Sequence, residues 1–192
     1  MALRFKKTWG RITRKYFGRE RAHKQILRDQ AVALLARVDA PVVVETGCIR
    51  KLDEGTESTL TLATILQDGG RFYSFELRPE HIAISRRCCG DQDRFVTYVE
   101  GDSVGNLERF VADGTLARID LAFLDSANDA DHIYNEFKAI EGCFVPGSVL
   151  VVDDVLWAEK GKRLVPYIQG SPDWDSEIFN VENGMMVATR RG

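Results

Sequence analysis

Long apolar segments, paired cysteines and glycine-rich nucleotide loops are all missing from this sequence of 192 residues. No apolar run approaches the ~20 residues that a membrane-spanning helix needs, and residues 1–7 lack the apolar core and cleavage site of a secretory signal. The four cysteines show no CxxC spacing, and Cys88 and Cys89 are adjacent, which disfavours both a zinc site and ordinary disulfides. We therefore expect a cytoplasmic protein whose thiols are reduced.

Two common nucleotide-binding motifs are excluded as well. A dinucleotide-binding loop needs G-x-G-x-x-G after the first strand, whereas residues 47–52 read Gly-Cys-Ile-Arg-Lys-Leu, with a single glycine. The sequence contains no P-loop either. We therefore expect neither a nicotinamide-dependent enzyme nor a Walker-type nucleoside triphosphatase.

Charge is distributed very unevenly along the chain. Residues 1–28 contain ten Lys or Arg and one acid, a net charge of +9, so the remaining 164 residues carry −12. Apolar side chains are interleaved with these basic residues at near-helical spacing: Phe5, Trp9, Ile12, Tyr16 and Phe17. Two interpretations remain open, a helix that packs its aromatics on the domain, or an arm that contacts an anionic partner, nucleic acid or the inner membrane surface. We divide the chain into a basic arm, 1–28, and a folded domain, 29–192.

Helical and strand patterns alternate along the rest of the chain. An amphipathic helix is predicted over 22–37, followed by strands at 42–44, 71–75, 95–99, 119–124 and 149–152 with helices at 58–66, 79–89, 103–111 and 130–140 between them. A helix at 160–168 precedes two strands, 177–181 and 185–189, which Asn183-Gly184 joins as a hairpin. This order predicts a Rossmann-like, doubly wound α/β fold. Its seven-stranded sheet is mostly parallel and ends in a C-terminal hairpin with one antiparallel strand at the edge.

Carboxylates recur where the predicted parallel strands end. They are Glu45, Glu76, Asp102, Asp125, Asp153 and Asp154. Ligands of open parallel sheets bind beyond the carboxyl ends of the strands. A row of acids at that edge favours a ligand with cationic or hydroxyl-rich parts and disfavours a phosphate.

The same strand ends resemble those of the class I methyltransferases that use S-adenosylmethionine (SAM). The resemblance rests on five segments, 44–47 (Val-Glu-Thr-Gly), 75–76 (Phe-Glu), 100–103 (Glu-Gly-Asp-Ser), 124–125 (Leu-Asp) and 152–154 (Val-Asp-Asp). More narrowly, Glu-Thr-Gly-Cys-Ile-Arg followed by Glu-Gly-Thr-Glu-Ser-Thr-Leu is similar to a branch of small bacterial O-methyltransferases. That branch is related to catechol O-methyltransferase and to enzymes that tailor sugars and natural products.

The resemblance implies a role for each of these positions. Gly47 would let the backbone approach the methionine part of SAM, with Glu45, Thr46 and Ser58 beside it. Glu76 would accept hydrogen bonds from both ribose hydroxyls, because a carboxylate is an acceptor only. Asp102 and Ser103 would bracket the adenine, and Asp125 would lie near the sulfonium.

Methyl transfer to a hydroxyl requires that the acceptor be aligned and its proton removed. Asp125, Asp153 and Asp154 supply hard oxygen ligands of the kind that Mg²⁺ binds, and catechol-type relatives use acids at these strand ends in that way. His132 is the candidate for a protein base, because its ordinary pKa suits proton transfer near neutrality. The two other histidines lie on helix patterns and are set aside. The sequence leaves open whether a metal is required.

We therefore predict a SAM-dependent enzyme that methylates a hydroxyl of a small acceptor such as a sugar, a glycan or a natural product, and an anionic acceptor would suit the basic arm. Nucleic acid is disfavoured as the acceptor, because Asp125-Ser126-Ala127 stands where amino-methylating enzymes of DNA and RNA carry Asn/Asp-Pro-Pro-Tyr, and because the domain is acidic. One alternative stays open. It is a non-catalytic Rossmann-like module that docks to a partner or a membrane through residues 1–28.

Overall fold

The computed structural model describes residues 22–51, 58–66 and 69–192. Within these ranges the α-helices are α1 (Ala22–Leu35), α2 (Ser58–Leu66), α3 (Pro79–Cys89), α4 (Ser103–Ala112), α5 (Ala130–Ile140) and α6 (Gly161–Gly170). The strands are β1 (Val42–Thr46), β2 (Arg71–Glu76), β3 (Thr97–Glu100), β4 (Ile119–Leu124), β5 (Phe144–Val152), β6 (Trp174–Phe179) and β7 (Met185–Arg190). The predicted order of helices and strands is confirmed for this part of the chain.

The strands form one seven-stranded sheet in the order β3-β2-β1-β4-β5-β7-β6. Neighbours among β1 to β5 pair in parallel, whereas β7 runs antiparallel to both β5 and β6. The Rossmann-like sheet and the terminal hairpin are thus confirmed, but the prediction that the antiparallel strand lies at the edge is wrong. The first four residues of β7 are buried and require cover on both sides, so β7 inserts between β5 and the more exposed β6.

Parallel register aligns the carboxyl ends of the central strands. Thr46 pairs with both Phe75 and Leu124, and Leu124 pairs with Val152. The residues that follow these four positions therefore lie in one row at the same edge of the sheet. They are Gly47, Glu76, Asp125 and Asp153.

Helices cover both faces of the sheet, and the two largest clusters of the core lie on its opposite faces. Along β4, Ala122 and Leu124 pack in the cluster that contains α4, α5 and α6, whereas Leu121 and Phe123 pack in the cluster that contains α1 and α2. All four side chains are buried. Apolar burial stabilises a fold by ~25 cal/mol per Å², and here it acts on both faces of one strand. This explains the continuous apolar runs in the sequence and holds the strand ends rigidly.

Strand β5 is longer than predicted. It begins at Phe144 and includes the Pro146-Gly147 pair that the sequence indicates as a turn. Ile119 pairs with Phe144 but Leu121 pairs with Val149, so the register shifts between the two pairs. The extra residues of β5 interrupt the regular pairing with β4, and the proline is tolerated there because fewer ladder hydrogen bonds are needed.

The boundary expected after residue 28 falls inside α1. Leu27, Ala31 and Leu34 are each at most 2% exposed and pack in the same cluster as α2. Residues 22–28 therefore belong to the folded domain, while the interleaved aromatics of the basic arm lie outside the described residues. None of the helices within the described ranges is both long and apolar enough to cross a membrane.

Candidate functional site

A cavity of about 400 Å³ lies where β1, β4 and β5 end. Its walls come from the residues that follow these strands, from α1, and from the turn between β6 and β7. Charged side chains of both signs line it: Asp125, Asp153, Asp154 and Glu182, together with His23, Lys24, Arg50 and Lys51. Phe123 and the half-exposed Trp157 add apolar surface. The cavity thus suits polar ligands that also carry an apolar part.

Gly47 turns the chain at the end of β1 and brings the following loop against β4. Its φ is +79°, and its N–H donates to the carbonyl oxygen of Phe75 at 2.8 Å. A Cβ at this position would lie 2.4 Å from the backbone oxygen of Asp125. Glycine is therefore required by both the left-handed backbone and the close approach of the two strand ends.

Glu45 lies beneath this loop and is fully buried. Its carboxylate accepts hydrogen bonds from the hydroxyls of Ser58 at 2.6 Å, Thr59 at 2.8 Å and Ser74 at 2.7 Å. Burial raises the pKa of Glu45 to about 7, although the three hydroxyls act in the opposite direction. Of these residues only Ser58 lines the cavity, so Glu45 supports the start of α2 from behind.

Glu76, at the end of β2, holds the loop after Gly47 from the other side. Its Oε2 accepts from the N–H of Cys48 at 3.3 Å, and its Oε1 accepts from the N–H of Arg78 at 2.9 Å. Nδ1 of His81 lies 3.2 Å from Oε1. The carboxylate is 7% exposed, and its oxygens keep lone pairs for further donors. Burial raises the pKa of the Cys48 thiol far above its ordinary value, so that this cysteine is a poor nucleophile.

A second buried carboxylate, Glu136 of α5, joins three elements. Its Oε2 accepts from the hydroxyl of Thr46 at 3.0 Å, and its Oε1 accepts from the hydroxyl of Ser103. Nε2 of His132 lies 3.2 Å from Oε1 of Glu136 and 3.0 Å from Oγ of Ser103. The hydrogen bond with Glu136 raises the pKa of His132. Thr46, Ser103 and His132 are thus brought together, but none of them lines the cavity.

Asp102 is exposed and caps α4. Its Oδ2 accepts from the N–H of Gly105 at 2.8 Å, as in an ordinary helix N-cap. It is adjacent to Ser103 but does not line the cavity. The adenine-side residues expected from the sequence therefore lie together, at the end of β3 and away from the cavity aspartates.

Asp125 follows β4 and contacts two basic side chains. Nζ of Lys160 lies 2.8 Å from its Oδ1. The guanidinium of Arg50 donates to its backbone oxygen at 3.0 Å and lies 3.7 Å from its Oδ2. The side chain of Lys160 is 1% exposed, whereas that of Asp125 is 27% exposed. Asp125 thus connects a buried ammonium to the cavity.

Asp153 and Asp154 follow β5 and line the same cavity. Burial raises the pKa of Asp153 to about 6, and the negative charges of Asp125 and Asp154 act in the same direction. Asp154 has a left-handed backbone, with φ of +58°, and its N–H donates to Oδ1 of Asp153 at 2.9 Å. Asp125, Asp153 and Asp154 thus all line one cavity.

The turn between β6 and β7 fixes the loop that carries these two aspartates. The N–H groups of Val155 and Leu156 donate to the carbonyls of Gly184 at 3.0 Å and Asn183 at 2.8 Å. Within the described ranges, the non-glycine residues with positive φ all lie in these two segments: Asp154, Ala158 and Glu182. Such strained residues persist where the surroundings over-determine them, and they cluster at functional sites.

Four residues of this region were not singled out from the sequence. Lys160 and Glu136 are buried and pair with residues that the sequence analysis did predict. No local sequence motif indicates either of them. His23 and His81 lie on helices, as the sequence indicates, yet His23 lines the cavity and His81 contacts Glu76. The spacing of His132 and Glu136, four residues apart on a predicted helix, was the one signal that could have found a partner.

The three aspartates face one cavity without a ready-made metal site. Among the described residues, no three His, Cys, Asp or Glu side chains are arranged to hold an ion. Oδ1 of Asp125 is paired with Lys160 and its Oδ2 lies 3.7 Å from Arg50, while Oδ1 of Asp153 accepts from the backbone N–H of Asp154. The donor chemistry, though not a finished geometry, fits a hard cation.

The sequence of this chain matches a protein family and is similar to curated proteins. Residues 54–155 match the family model described as "Methyltransferase domain". Catechol O-methyltransferase B from Danio rerio is 32% identical over 146 residues, which cover 72% of this chain and 54% of that protein. The chain thus spans about half the length of this relative.

Solved structures share the fold. The O-methyltransferase TomG from Streptomyces achromogenes, solved in complex with SAM, is 20% identical and has a TM-score of 0.74, with 94% of this chain and 86% of that chain covered. An O-methyltransferase from Bacillus cereus, in complex with SAH, is 18% identical and has a TM-score of 0.69, with coverages of 88% and 79%. These likenesses establish the architecture described above.

Proposed function

This chain belongs to the methyltransferase domain family, and we propose that it transfers the methyl group of SAM to a hydroxyl of a small acceptor such as a sugar, a glycan or a natural product. The observation that carries the proposal is the cavity at the strand ends, where the loop after Gly47 meets Asp125, Asp153 and Asp154. The named activities of the relative and of the two solved structures are O-methyl transfer, which supports the same reaction class.

The donor side of the site is the loop after β1 with the ends of β2 and β3. SAM supplies a methyl group that its sulfonium already activates for displacement. We assign the methionine and sulfonium end to the backbone after Gly47, with Ser58 and Asp125 beside it. Glu76 accepts hydrogen bonds from the ribose hydroxyls, and Asp102 borders the adenine.

Three of the expected cofactor residues act from behind this surface. Glu45, Thr46 and Ser103 are buried, and their polar side-chain atoms are bonded to other side chains. We therefore assign them the role of fixing the loop after β1 and the start of α4. Their substitution should disturb SAM binding through the backbone they hold.

The acceptor side is the group of cavity aspartates. A hydroxyl is a weak nucleophile until its proton is removed, and a base works best with a pKa near the operating pH. The pKa of Asp153 is raised to about 6, which suits it to accept that proton, with Asp125 aligning the acceptor. His132 is turned toward Glu136 and Ser103, so its expected role as the base passes to the carboxylates.

A divalent cation such as Mg²⁺ also fits the donor chemistry of Asp125, Asp153 and Asp154, and with the cation bound Asp153 would be a ligand and not the base. When bound there it would lower the pKa of the acceptor hydroxyl and fix its orientation. The mutual repulsion that helps to raise the pKa of Asp153 is the observation that favours a cation. Titration of the purified protein with Mn²⁺, followed by electron paramagnetic resonance, tests this assignment directly. Full methyl transfer after exhaustive chelation would contradict it.

The reaction itself is tested by SAM turnover. Purified full-length protein is incubated with SAM and a panel that contains catechol, hydroxylated sugars and their acidic derivatives, and S-adenosylhomocysteine is measured. We expect acceptor-dependent product that carries the methyl group on oxygen. SAM binding without turnover on any acceptor would contradict the enzyme and favour the non-catalytic module that docks to a partner.

Residues 1–28, with a net charge of +9, are proposed to bring an anionic acceptor or an anionic membrane surface to the domain. Because exposed charges are screened within a Debye length of ~8 Å at physiological salt, added salt should weaken this contact. Removal of residues 1–21 leaves α1 whole. It should raise the KM for an acidic acceptor and leave the Kd for SAM unchanged. An unchanged KM at low salt would contradict the proposal.

A further inference from the structure

We propose that Lys160 is a positioning residue of the methyl-transfer site: its buried ammonium holds Oδ1 of Asp125 so that the other carboxylate oxygen is presented to the cavity. The inference rests on the proposed function and adds to it a residue that belongs to none of the strand-end segments. Lys160 does not itself line the cavity, so it acts through Asp125.

The pairing of the two side chains is the first observation. Lys160 is 1% exposed, and its Nζ lies 2.8 Å from Oδ1 of Asp125. Asp125 lines the cavity and keeps 27% of its side chain exposed. One carboxylate oxygen is therefore anchored from the protein interior, while the exposed part of the same group faces the cavity.

The loop between β5 and α6 positions Lys160 beside Asp125. It stands at the N-cap of α6, immediately before Gly161. A Cβ on Gly161 would lie 2.2 Å from the carbonyl oxygen of Val155, so only glycine permits the tight fold of the loop between β5 and α6. The fold of this loop turns Lys160 back toward the end of β4, and the ion pair connects the two strand ends that carry the cavity aspartates.

The free-energy cost of burying the Lys160 ammonium indicates that this residue does not serve mainly to stabilise the fold. Burying an ammonium costs several kcal/mol, and well-packed apolar residues are often as stabilising as a buried ion pair. A cation at a helix N-terminus is also opposed by the helix dipole. Arg50 does not replace it, because its guanidinium is bonded to the backbone oxygen of Asp125 and lies 3.7 Å from Oδ2. A positioning role accounts for a lysine that is unfavourable in these two respects.

The test compares Lys160→Met and Lys160→Arg with a matched control, Lys162→Met. Lys162 lies two residues further along, is 64% exposed and pairs with Glu159. With catechol as the acceptor, Lys160→Met should lower kcat roughly 100-fold, the cost of misplacing a group by about 1 Å. Its Kd for SAM should stay within about twofold, Lys160→Arg should restore part of kcat, and Lys162→Met should match the wild type. An unchanged kcat in Lys160→Met would overturn the proposal.

A second measurement does not depend on turnover. In protein labelled with ¹⁵N-lysine, the buried ammonium of Lys160 should give a slowly exchanging NMR signal that Lys160→Met removes and Asp125→Asn shifts. No shift in Asp125→Asn would mean that the pair does not form, which also overturns the proposal. A wild type that methylates no acceptor contradicts the proposed function alone. If Lys160→Met fails to fold but Lys160→Met/Asp125→Asn folds, the pair is structural and the inference fails.

Discussion

Two groups of carboxylates lie at the same edge of this sheet and are used differently. Glu45, Glu76 and Glu136 are 0%, 7% and 0% exposed and accept hydrogen bonds from hydroxyls and backbone N–H groups. Asp125, Asp153 and Asp154 line the cavity. We name the first set the frame acids and the second set the cavity acids. Their exposure differs although all six are carboxylates near the carboxyl ends of the strands, with Glu136 reaching this edge from α5.

This difference shows that the hydrogen-bond donors around a carboxylate determine whether it supports the fold or lines the cavity. A buried carboxylate is tolerated only when its oxygens are bonded, and the frame acids find those donors on α2, β2, α4 and the strand-end loops. The cavity acids are partly exposed, and the pKa of Asp153 is raised by burial and further by the negative charges of the other two. The frame acids should therefore govern stability and the cavity acids catalysis.

The largest effect is expected from a cavity acid. Asp153→Asn removes the proposed base with little change in volume, and loss of a general base costs on the order of 10²- to 10⁴-fold in rate. We expect kcat to fall in that range while the urea midpoint stays the same or rises. Asp131→Asn is the matched control, because Asp131 is 69% exposed and pairs with Arg163. A stable variant with full turnover would contradict the catalytic role of the cavity acids.

A frame acid should show the opposite behaviour. Glu136→Leu leaves the hydroxyls of Thr46 and Ser103 without their acceptor and His132 without its carboxylate. Each unsatisfied buried group costs ~1–3 kcal/mol, so we expect the free energy of unfolding to fall by about 4 kcal/mol in urea titrations. Glu108→Leu on the exposed side of α4 provides the control. A loss below about 1 kcal/mol would place Glu136 among ordinary surface acids.

The row of strand-end residues could be predicted from the sequence, because parallel strands end at the same edge of a sheet once the strands themselves have been located. Gly47, Asp125 and Asp153 follow paired positions of β1, β4 and β5, and short apolar runs were enough to find those strands. The division into frame and cavity acids was not predictable in this way. It depends on donors such as Ser74, which lies 29 residues from Glu45 along the chain.

The site residues that were not predicted from the sequence escaped prediction for the same physical reason. Lys160 and Glu136 are polar side chains whose burial is set by tertiary packing, and a sequence pattern reads charged residues as exposed. The inserted position of β7 likewise depends on which strand needs cover on both sides. Local patterns therefore specify the elements and their order, while the partners across the core depend on the tertiary fold.

Glu45, one of the frame acids, should make the free energy of unfolding depend measurably on pH. Its pKa in the folded protein, about 7, lies above the ordinary 4.5. Between these values the folded state keeps a proton that the unfolded state has released, so stability falls as pH rises through that window, by up to about 3 kcal/mol. Glu45→Gln carries no charge, and the wild type should lose stability relative to it from pH 4.5 to 7.5 in urea titrations. A difference that stays constant with pH would contradict the buried, hydroxyl-bonded state of Glu45.

The smallest effect is expected at the rim of the cavity, where His23 of α1 pairs with Glu182 of the β6–β7 turn at 3.0 Å. The two side chains are 10% and 41% exposed, and ion pairs that water reaches contribute ~0–1 kcal/mol. We expect His23→Gln and Glu182→Gln each to lower the free energy of unfolding by less than about 1 kcal/mol at pH 6, and the loss to shrink in 0.5 M salt. The hydrogen bonds from Val155 and Leu156 to this turn would still hold the loop of the cavity acids, so kcat should change less than about twofold. A loss above about 2 kcal/mol in both variants would mean that the rim is as tightly coupled to the core as the frame acids are, and the boundary between the two regions would then have to move outward to include the turn.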